Sequence, residues 1–93
     1  MDLSRGVMER AVYHVDNAYN WENLHVSGTI CKTHLPSNTA FRGFGGPQGM
    51  IVGETAVEHL ATALGMAPEE LRARNMYKAG DATPCVCTCL VDA

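Results

Sequence analysis

The chain has 93 residues, of which 46% are hydrophobic and 18% are charged, and its formal net charge is −3. This length allows one domain with a thin core, and the acidic balance argues against nucleic acid or an anionic membrane surface as a partner. The high apolar content excludes a disordered polar tail. The sequence has neither an apolar run of the roughly 18 residues that a membrane span needs nor a signal-peptide pattern, so we expect a soluble, intracellular protein.

The first third of the chain predicts a helix followed by strands. Apolar residues at helical spacing predict a helix from about Ser4 to Asp16, with Ser4 as the N-cap and Asn17 as the C-terminal stop. Between Tyr19 and Lys32, apolar and β-branched residues on either side of Gly28 predict one or two short strands joined by a turn.

Two further helices are predicted in the second half of the chain. An apolar stripe between Met50 and Leu64 predicts the second helix, with Gly65 at its C-terminal end. An early proline followed by two acids predicts the third helix, Pro68–Tyr77, which Gly80 closes. Together with the strand pair, these helices make an α+β architecture. Its apolar faces exceed what so short a chain can cover, so we expect it to fold weakly alone and to be part of something larger.

Residues 33–49 form a loop rich in glycine and proline that leads into a helix N-terminus near Gln48. The loop lacks the third glycine of a dinucleotide-binding motif and the lysine of a Walker motif. Backbone N–H groups at the helix N-terminus could still hold an anion, and an ordinary connection is the alternative. Phe41, Arg42 and Phe44 suit a planar, charged ligand, although both phenylalanines could equally be core residues.

Arg10 and the cysteines are the remaining candidates for chemistry. Arg10 lies on an otherwise apolar helix, where it could bind an anionic group or simply face solvent. Cys31 stands alone and the other cysteines, Cys85, Cys87 and Cys89, crowd the C-terminus, which argues against a disulfide framework and favours reduced thiols. The last three cysteines could ligate zinc or an iron–sulfur cluster, but one intervening residue is tight compared with the usual ligand spacing, and the fourth ligand would have to be Cys31 or a histidine.

The run Ser-Asn-Thr-Ala-Phe-Arg-Gly-Phe-Gly-Gly-Pro-Gln at 37–48 resembles the molybdopterin-binding domain of the molybdenum hydroxylases, specifically the xanthine dehydrogenase/oxidase family. The resemblance covers positions 4–83 and includes the Arg-Asn-Met-Tyr-Lys-Ala-Gly-Asp run at 74–81. The related aldehyde oxidases typically have a phenylalanine that breaks the glycine pair and lack the arginine. Here Gly45 and Gly46 are adjacent and Arg10 is present, which favours the xanthine type.

The resemblance implies a partial molybdopterin-binding domain at 1–83 with a glycine-rich active-site loop, followed by a divergent cysteine-containing tail at 84–93. It implies oxidation of hypoxanthine or xanthine to urate by attack of a Mo–OH oxygen and hydride transfer to molybdenum. Arg10 and Phe44 match substrate-binding positions, and Arg42 matches a cofactor-binding position. The neighbouring loop residues expected at the cofactor are Phe41, Gly43 and Gly45.

The same resemblance implies molybdenum–molybdopterin as the cofactor, with no residue of this chain ligating the metal and the general base lying outside it. FAD and 2Fe–2S clusters belong to the complete parent enzyme. The expected partners are a purine or other heterocycle and the rest of the parent enzyme, which would be a homodimer in the cytoplasm or the peroxisome, without nucleic acid or membrane. The isolated fragment should be inactive. The alternatives are an aldehyde oxidase fragment and a non-catalytic truncated or interaction product.

Overall fold

The computed structural model describes residues 3–84 and forms three helices there: α1 (Ser4–Tyr13), α2 (Gly46–Leu64) and α3 (Pro68–Asn75). All three helices lie where the sequence predicts them. The predicted cap of α1 is wrong, because Leu3 occupies the N-cap position and Ser4 is the first helical residue. α1 also ends earlier than predicted, and the chain continues through turns to Asn17, whose φ is +50°.

The ends of α2 and α3 follow from glycine and proline. Gly65 adopts φ +66° and ends α2 as predicted. α2 begins at Gly46, earlier than the apolar stripe indicates, because Pro47 is tolerated in the first turn. α3 also has a proline in its first turn, and it ends at Asn75, two residues before the predicted end. There the backbone leaves the helix, and the Tyr77 N–H donates to the carbonyl of residue 18 at 3.0 Å.

The predicted strand pair is wrong: none of the described residues forms a strand. An antiparallel bridge joins Tyr19 to Met76, flanked by a 2.7 Å hydrogen bond from the Asn20 N–H to the Asn75 carbonyl. A strand needs a neighbouring ladder, and no described segment supplies one to the chain around Gly28. The described residues are therefore mainly helical and not α+β.

Three glycines at four-residue intervals let α1 and α2 meet at backbone distance. A Cβ atom on any of them would overlap a main-chain carbonyl oxygen in or just after α1: Gly45 that of Val7, Gly49 that of Ala11, and Gly53 that of Val15. Both series advance by four residues in the same direction, so the two helices run side by side and parallel. The segment between them, residues 14–45, carries the chain back to the start of α2. We call this contact the glycine seam.

The core is small and lies between α2, α3 and the chain after α1. Its buried side chains are Tyr19, Val57, Ala61 and Leu71, with Trp21 and Met66 packed against them. Many large apolar side chains are exposed, among them Leu35, Phe41, Ile51, Val52, Leu64 and Met76. Within residues 3–84, no helix is long and apolar enough to cross a membrane. The predicted tail lies outside the described residues from Cys85 onwards.

Candidate cofactor and substrate site

The chain turns sharply immediately before α2. The Phe44 N–H donates to the Phe41 carbonyl at 2.8 Å, and the Gly46 N–H donates to the Gly43 carbonyl at 3.0 Å. Three consecutive residues, Gly43 to Gly45, have positive φ values of 92°, 53° and 91°. Glycine adopts this conformation freely, but a bulky aromatic residue does so rarely. The unusual backbone of Phe44 is the kind of strain that clusters at functional sites.

The Phe44 ring packs against α1. A Cβ atom built on Gly6 would lie 3.1 Å from both Cε1 and Cζ of this ring. The ring tip therefore fills the space that a side chain at position 6 would occupy. Phe44 is half-buried, whereas Phe41, three residues earlier, is 78% exposed. Neither phenylalanine belongs to the buried cluster between α2 and α3, so the alternative that both are core residues is wrong.

Arg10 lies one helical turn beyond Gly6, on the same side of α1. Four residues along a helix correspond to a rise of about 6 Å. The Cα–Cβ bonds of a helix tilt towards its N-terminus, so the Arg10 side chain starts out leaning towards the Phe44 ring. Arg10 is exposed, and the neighbouring Glu9 instead accepts a 2.8 Å hydrogen bond from Arg5. Helix geometry thus places the Arg10 Cα atom on the side of α1 against which the Phe44 ring packs.

Arg42 is exposed in the same turn, just before the N-terminus of the 19-residue helix α2. A guanidinium group and the positive end of a helix dipole both favour anions. These residues fit the anionic phosphate and oxo groups of a molybdenum–pterin cofactor. No group of three or more histidine, cysteine, aspartate or glutamate side chains is arranged to hold a metal ion within the part of the chain that the structure describes.

Two of the predicted loop glycines are required by packing within the chain, because a side chain at either position would overlap neighbouring atoms. Gly45 is buried beneath the Val7 carbonyl as the first residue of the glycine seam. Gly43 is exposed, and a Cβ atom there would lie 2.6 Å from Cδ of Pro47. The resemblance stated above implies that both glycines lie at the cofactor. The four-residue spacing of Gly45, Gly49 and Gly53 is the signal that could have indicated helix packing.

The sequence interpretation missed a polar hub at Glu54 on α2. Its Oε1 accepts hydrogen bonds from the Asn17 side chain at 2.8 Å and from the Tyr19 hydroxyl at 2.6 Å. Its Oε2 accepts a 2.9 Å bond from Arg72, which also pairs with the more exposed Glu58 at 2.6 Å. The hub therefore ties α2 to α3 and to the chain that leaves α1. The four-residue spacing of Glu54 and Glu58 was the only available sequence signal.

Hydrogen bonding shifts the acid–base properties of this hub. The bond from the Tyr19 hydroxyl, supported by Arg72 and Asn17, holds the pKa of Glu54 below its ordinary value, although burial opposes the shift. Burial, followed by the hydrogen bond to Glu54, raises the pKa of Tyr19. The two directions agree: a charged carboxylate accepts a hydrogen bond from a neutral phenol, and both groups keep these protonation states over the whole neutral range.

Comparison with known proteins shows which family the chain resembles. Residues 1–76 match the molybdopterin cofactor-binding domain. Over 82 residues the chain is 60% identical to xanthine dehydrogenase/oxidase of Mus musculus, and over a segment of the same length it is 57% identical to that of Gallus gallus. It is 54% identical over 83 residues to xanthine dehydrogenase of Calliphora vicina.

These matches cover most of this chain and little of its relatives. The aligned segments make up 88–89% of the chain but only 6% of each relative's length. The match to the domain includes α1, α2, α3 and the turn that carries Phe44. The chain belongs to the molybdopterin cofactor-binding domain family and is similar to a small segment of xanthine dehydrogenase/oxidase.

Proposed function

We propose that this chain forms one wall of the molybdenum site in a hydroxylase that oxidises hypoxanthine and xanthine to urate. The observation that carries the proposal is the placement of the Phe44 ring against Gly6, one helical turn from Arg10. The similarity to xanthine dehydrogenase/oxidase supports xanthine as a substrate. The rest of the site, including the general base, would come from the remainder of the parent enzyme.

Arg10 and Phe44 bind and orient the purine in this proposal. A purine is flat, so the face of the Phe44 ring can stack on it or meet it edge to face. The Arg10 guanidinium donates hydrogen bonds to a carbonyl oxygen of the purine. Negative charge grows on that oxygen when a nucleophile adds to the ring, so the arginine stabilises the transition state more than the ground state.

Arg42 and the turn at Phe41 and Gly43 face the cofactor in this proposal. Arg42 supplies a positive charge, and the exposed Gly43 leaves backbone open to approach. When bound, the molybdenum–pterin cofactor would supply the oxidising centre that accepts two electrons as the substrate C–H and one water molecule become C–OH and two protons. FAD and 2Fe–2S clusters elsewhere in the parent, as expected from the similarity to xanthine dehydrogenase/oxidase, would then carry these electrons away.

A chimera tests the proposal. Residues 1–83 of this chain replace the matching segment of the mouse enzyme, and turnover of xanthine and of an aliphatic aldehyde is measured. Arg10→Ala should lower kcat/KM for xanthine on the order of 100-fold, because one charge-assisted contact in the transition state is lost. The matched control is Arg5→Ala on the same helix, whose side chain is 82% exposed and pairs only with Glu9 among the ion pairs of the described residues.

Three results would contradict the proposal. Equal xanthine turnover by the Arg10→Ala and Arg5→Ala variants would remove Arg10 from the site. A parent chimera that oxidised the aldehyde faster than xanthine would favour the aldehyde oxidase alternative. A chimera that contained molybdenum yet oxidised neither substrate would support a non-catalytic segment.

A further inference from the structure

Gly6 lowers the stability of the helix in which it lies. It lies inside the ten-residue helix α1, where glycine costs about 1 kcal/mol relative to alanine. Its φ is not positive, so the backbone there does not require glycine. The feature that does exclude a side chain is the Phe44 ring, whose Cε1 and Cζ atoms both lie 3.1 Å from the position of a Cβ atom.

The backbone of Phe44 is held on both sides, so the ring has little freedom to move elsewhere. Gly43 and Gly45 flank it with φ values of 92° and 91°. Gly45 is wedged beneath the Val7 carbonyl, the residue next to Gly6. A side chain added at position 6 would therefore push on the ring itself, because the turn behind the ring is anchored to the same helix.

We propose that Gly6 is a positioning residue: its missing side chain sets where the Phe44 ring lies, and through the ring it determines which flat substrates are accepted. This inference rests on the proposed function, in which Phe44 contacts the purine. Alanine at position 6 would displace the ring by a few tenths of an ångström, and leucine would displace it much further. The substrate would then be displaced relative to Arg10, which lies one helical turn away.

Helix propensity and ring placement predict opposite results for the same substitution. Gly6→Ala and Gly6→Leu both replace glycine by a strong helix former, so a purely structural role predicts equal or greater stability of α1 and unchanged kinetics. Ring placement predicts a loss of substrate binding that grows with side-chain size. Misplacement of a reacting geometry by about 1 Å can cost on the order of 100-fold.

The experiment uses the chimera defined above, with molybdenum content measured for every variant. We expect Gly6→Ala to raise KM for xanthine about fivefold with kcat changed less than about twofold, and Gly6→Leu to lower kcat/KM on the order of 100-fold. Equilibrium binding of urate, measured by calorimetry, should weaken in the same order without any turnover. If Gly6→Leu fails to fold, the Gly6→Ala measurement still distinguishes ring placement from a purely structural role.

A double-mutant cycle with Phe44→Ala separates positioning from general damage. If Gly6 acts through the ring, the effect of Gly6→Ala should fall below about twofold once Phe44→Ala has removed the ring. An equal effect of Gly6→Ala in both backgrounds, or no effect in the parent, overturns the inference while the proposed function stands. Unchanged xanthine turnover in Phe44→Ala alone overturns both, because the ring would then not contact the substrate.

Discussion

The Tyr19 hydroxyl donates a 2.6 Å hydrogen bond to the Glu54 carboxylate, and this contact joins the chain that leaves α1 to the middle of α2. Tyr19 is also one of four buried apolar residues in the described part of the chain, so both its ring and its hydroxyl stabilise this junction. The adjacent residue of α2, Gly53, closes the glycine seam against Val15. The relative placement of α1 and α2, and with it that of Arg10 and Phe44, depends on this junction.

Glu54→Gln should open the junction locally. Glutamine keeps the shape but removes the charge that binds Arg72 and strengthens the bond from Tyr19, so we expect a loss of about 2 kcal/mol in local stability. In the chimera this should speed amide exchange in the peptide that contains Asn20 by about 30-fold.

Glu58→Gln is the matched control, because Glu58 also pairs with Arg72 but its side chain is 55% exposed. An exposed ion pair contributes little, so amide exchange should change less than about threefold. Equal acceleration in the Glu54→Gln and Glu58→Gln variants would mean that Arg72 alone, and not Glu54, organises the junction.

The junction should also respond to pH in a defined direction. The folded-state pKa of Glu54 is depressed, so its contribution is complete above the ordinary glutamate value and is lost as the pH falls through the lower folded value. The folded-state pKa of Tyr19 is raised, so its contribution is complete below the ordinary tyrosine value and is lost as the pH rises through the folded one.

We therefore expect protection of the Asn20 peptide, corrected for intrinsic exchange, to be flat between about pH 5 and pH 10 and to fall on the acid side. Glu54→Gln should flatten the acid limb. An acid limb of the same depth in that variant would assign the titration to another carboxylate.

Gly49→Ala should separate α1 from α2. The added Cβ would overlap the Ala11 carbonyl oxygen, and a backbone atom cannot swing aside as a side chain does. We expect a loss of about 3 kcal/mol, at the upper end for overpacking, seen as rapid exchange throughout α1 and weaker binding of urate.

Gly80→Ala is the control for the Gly49 prediction. A Cβ atom there would meet nothing within 4 Å, and the φ of +90° adds only a conformational cost of about 1–2 kcal/mol. Because Gly80 lies outside all three helices, α1 should keep its protection. Loss of protection in α1 in both variants would show that the seam is not what holds the helices together.

Local chemistry explains which features the sequence predicts well. The end of α2 depends on Gly65 and the start of α3 on Pro68, and the conformational preferences of these residues act within one or two positions. The prediction of a strand pair is wrong because a strand depends on a partner strand elsewhere in the chain. The apolar pattern around Gly28 cannot reveal whether that partner exists.

The missed contacts have the same cause. Gly6 meets Phe44 across 38 positions of the sequence, and Asn17 meets Glu54 across 37. No local pattern encodes such pairs. The sequence therefore indicated Phe44 and Arg10 as site residues, but it could not show that the Phe44 ring packs on the side of α1 that carries Arg10. The four-residue spacings of the seam glycines and of Glu54 and Glu58 are the sequence signals of packing that could have been used.

The isolated 93-residue chain should not unfold cooperatively. Within residues 3–84 the core consists of four buried apolar residues, none of them a large side chain that is fully enclosed, while Leu35 is 79% exposed and Ile51 64% exposed. So small a buried area cannot offset the conformational entropy of ordering the whole chain. Near-ultraviolet circular dichroism of Trp21, half-buried beside this core, should decline gradually with temperature. The same segment within the chimera should stay ordered until the enzyme unfolds, because the remainder of the enzyme would cover these apolar side chains. A sharp sigmoidal transition for the isolated chain would show that the thin core suffices.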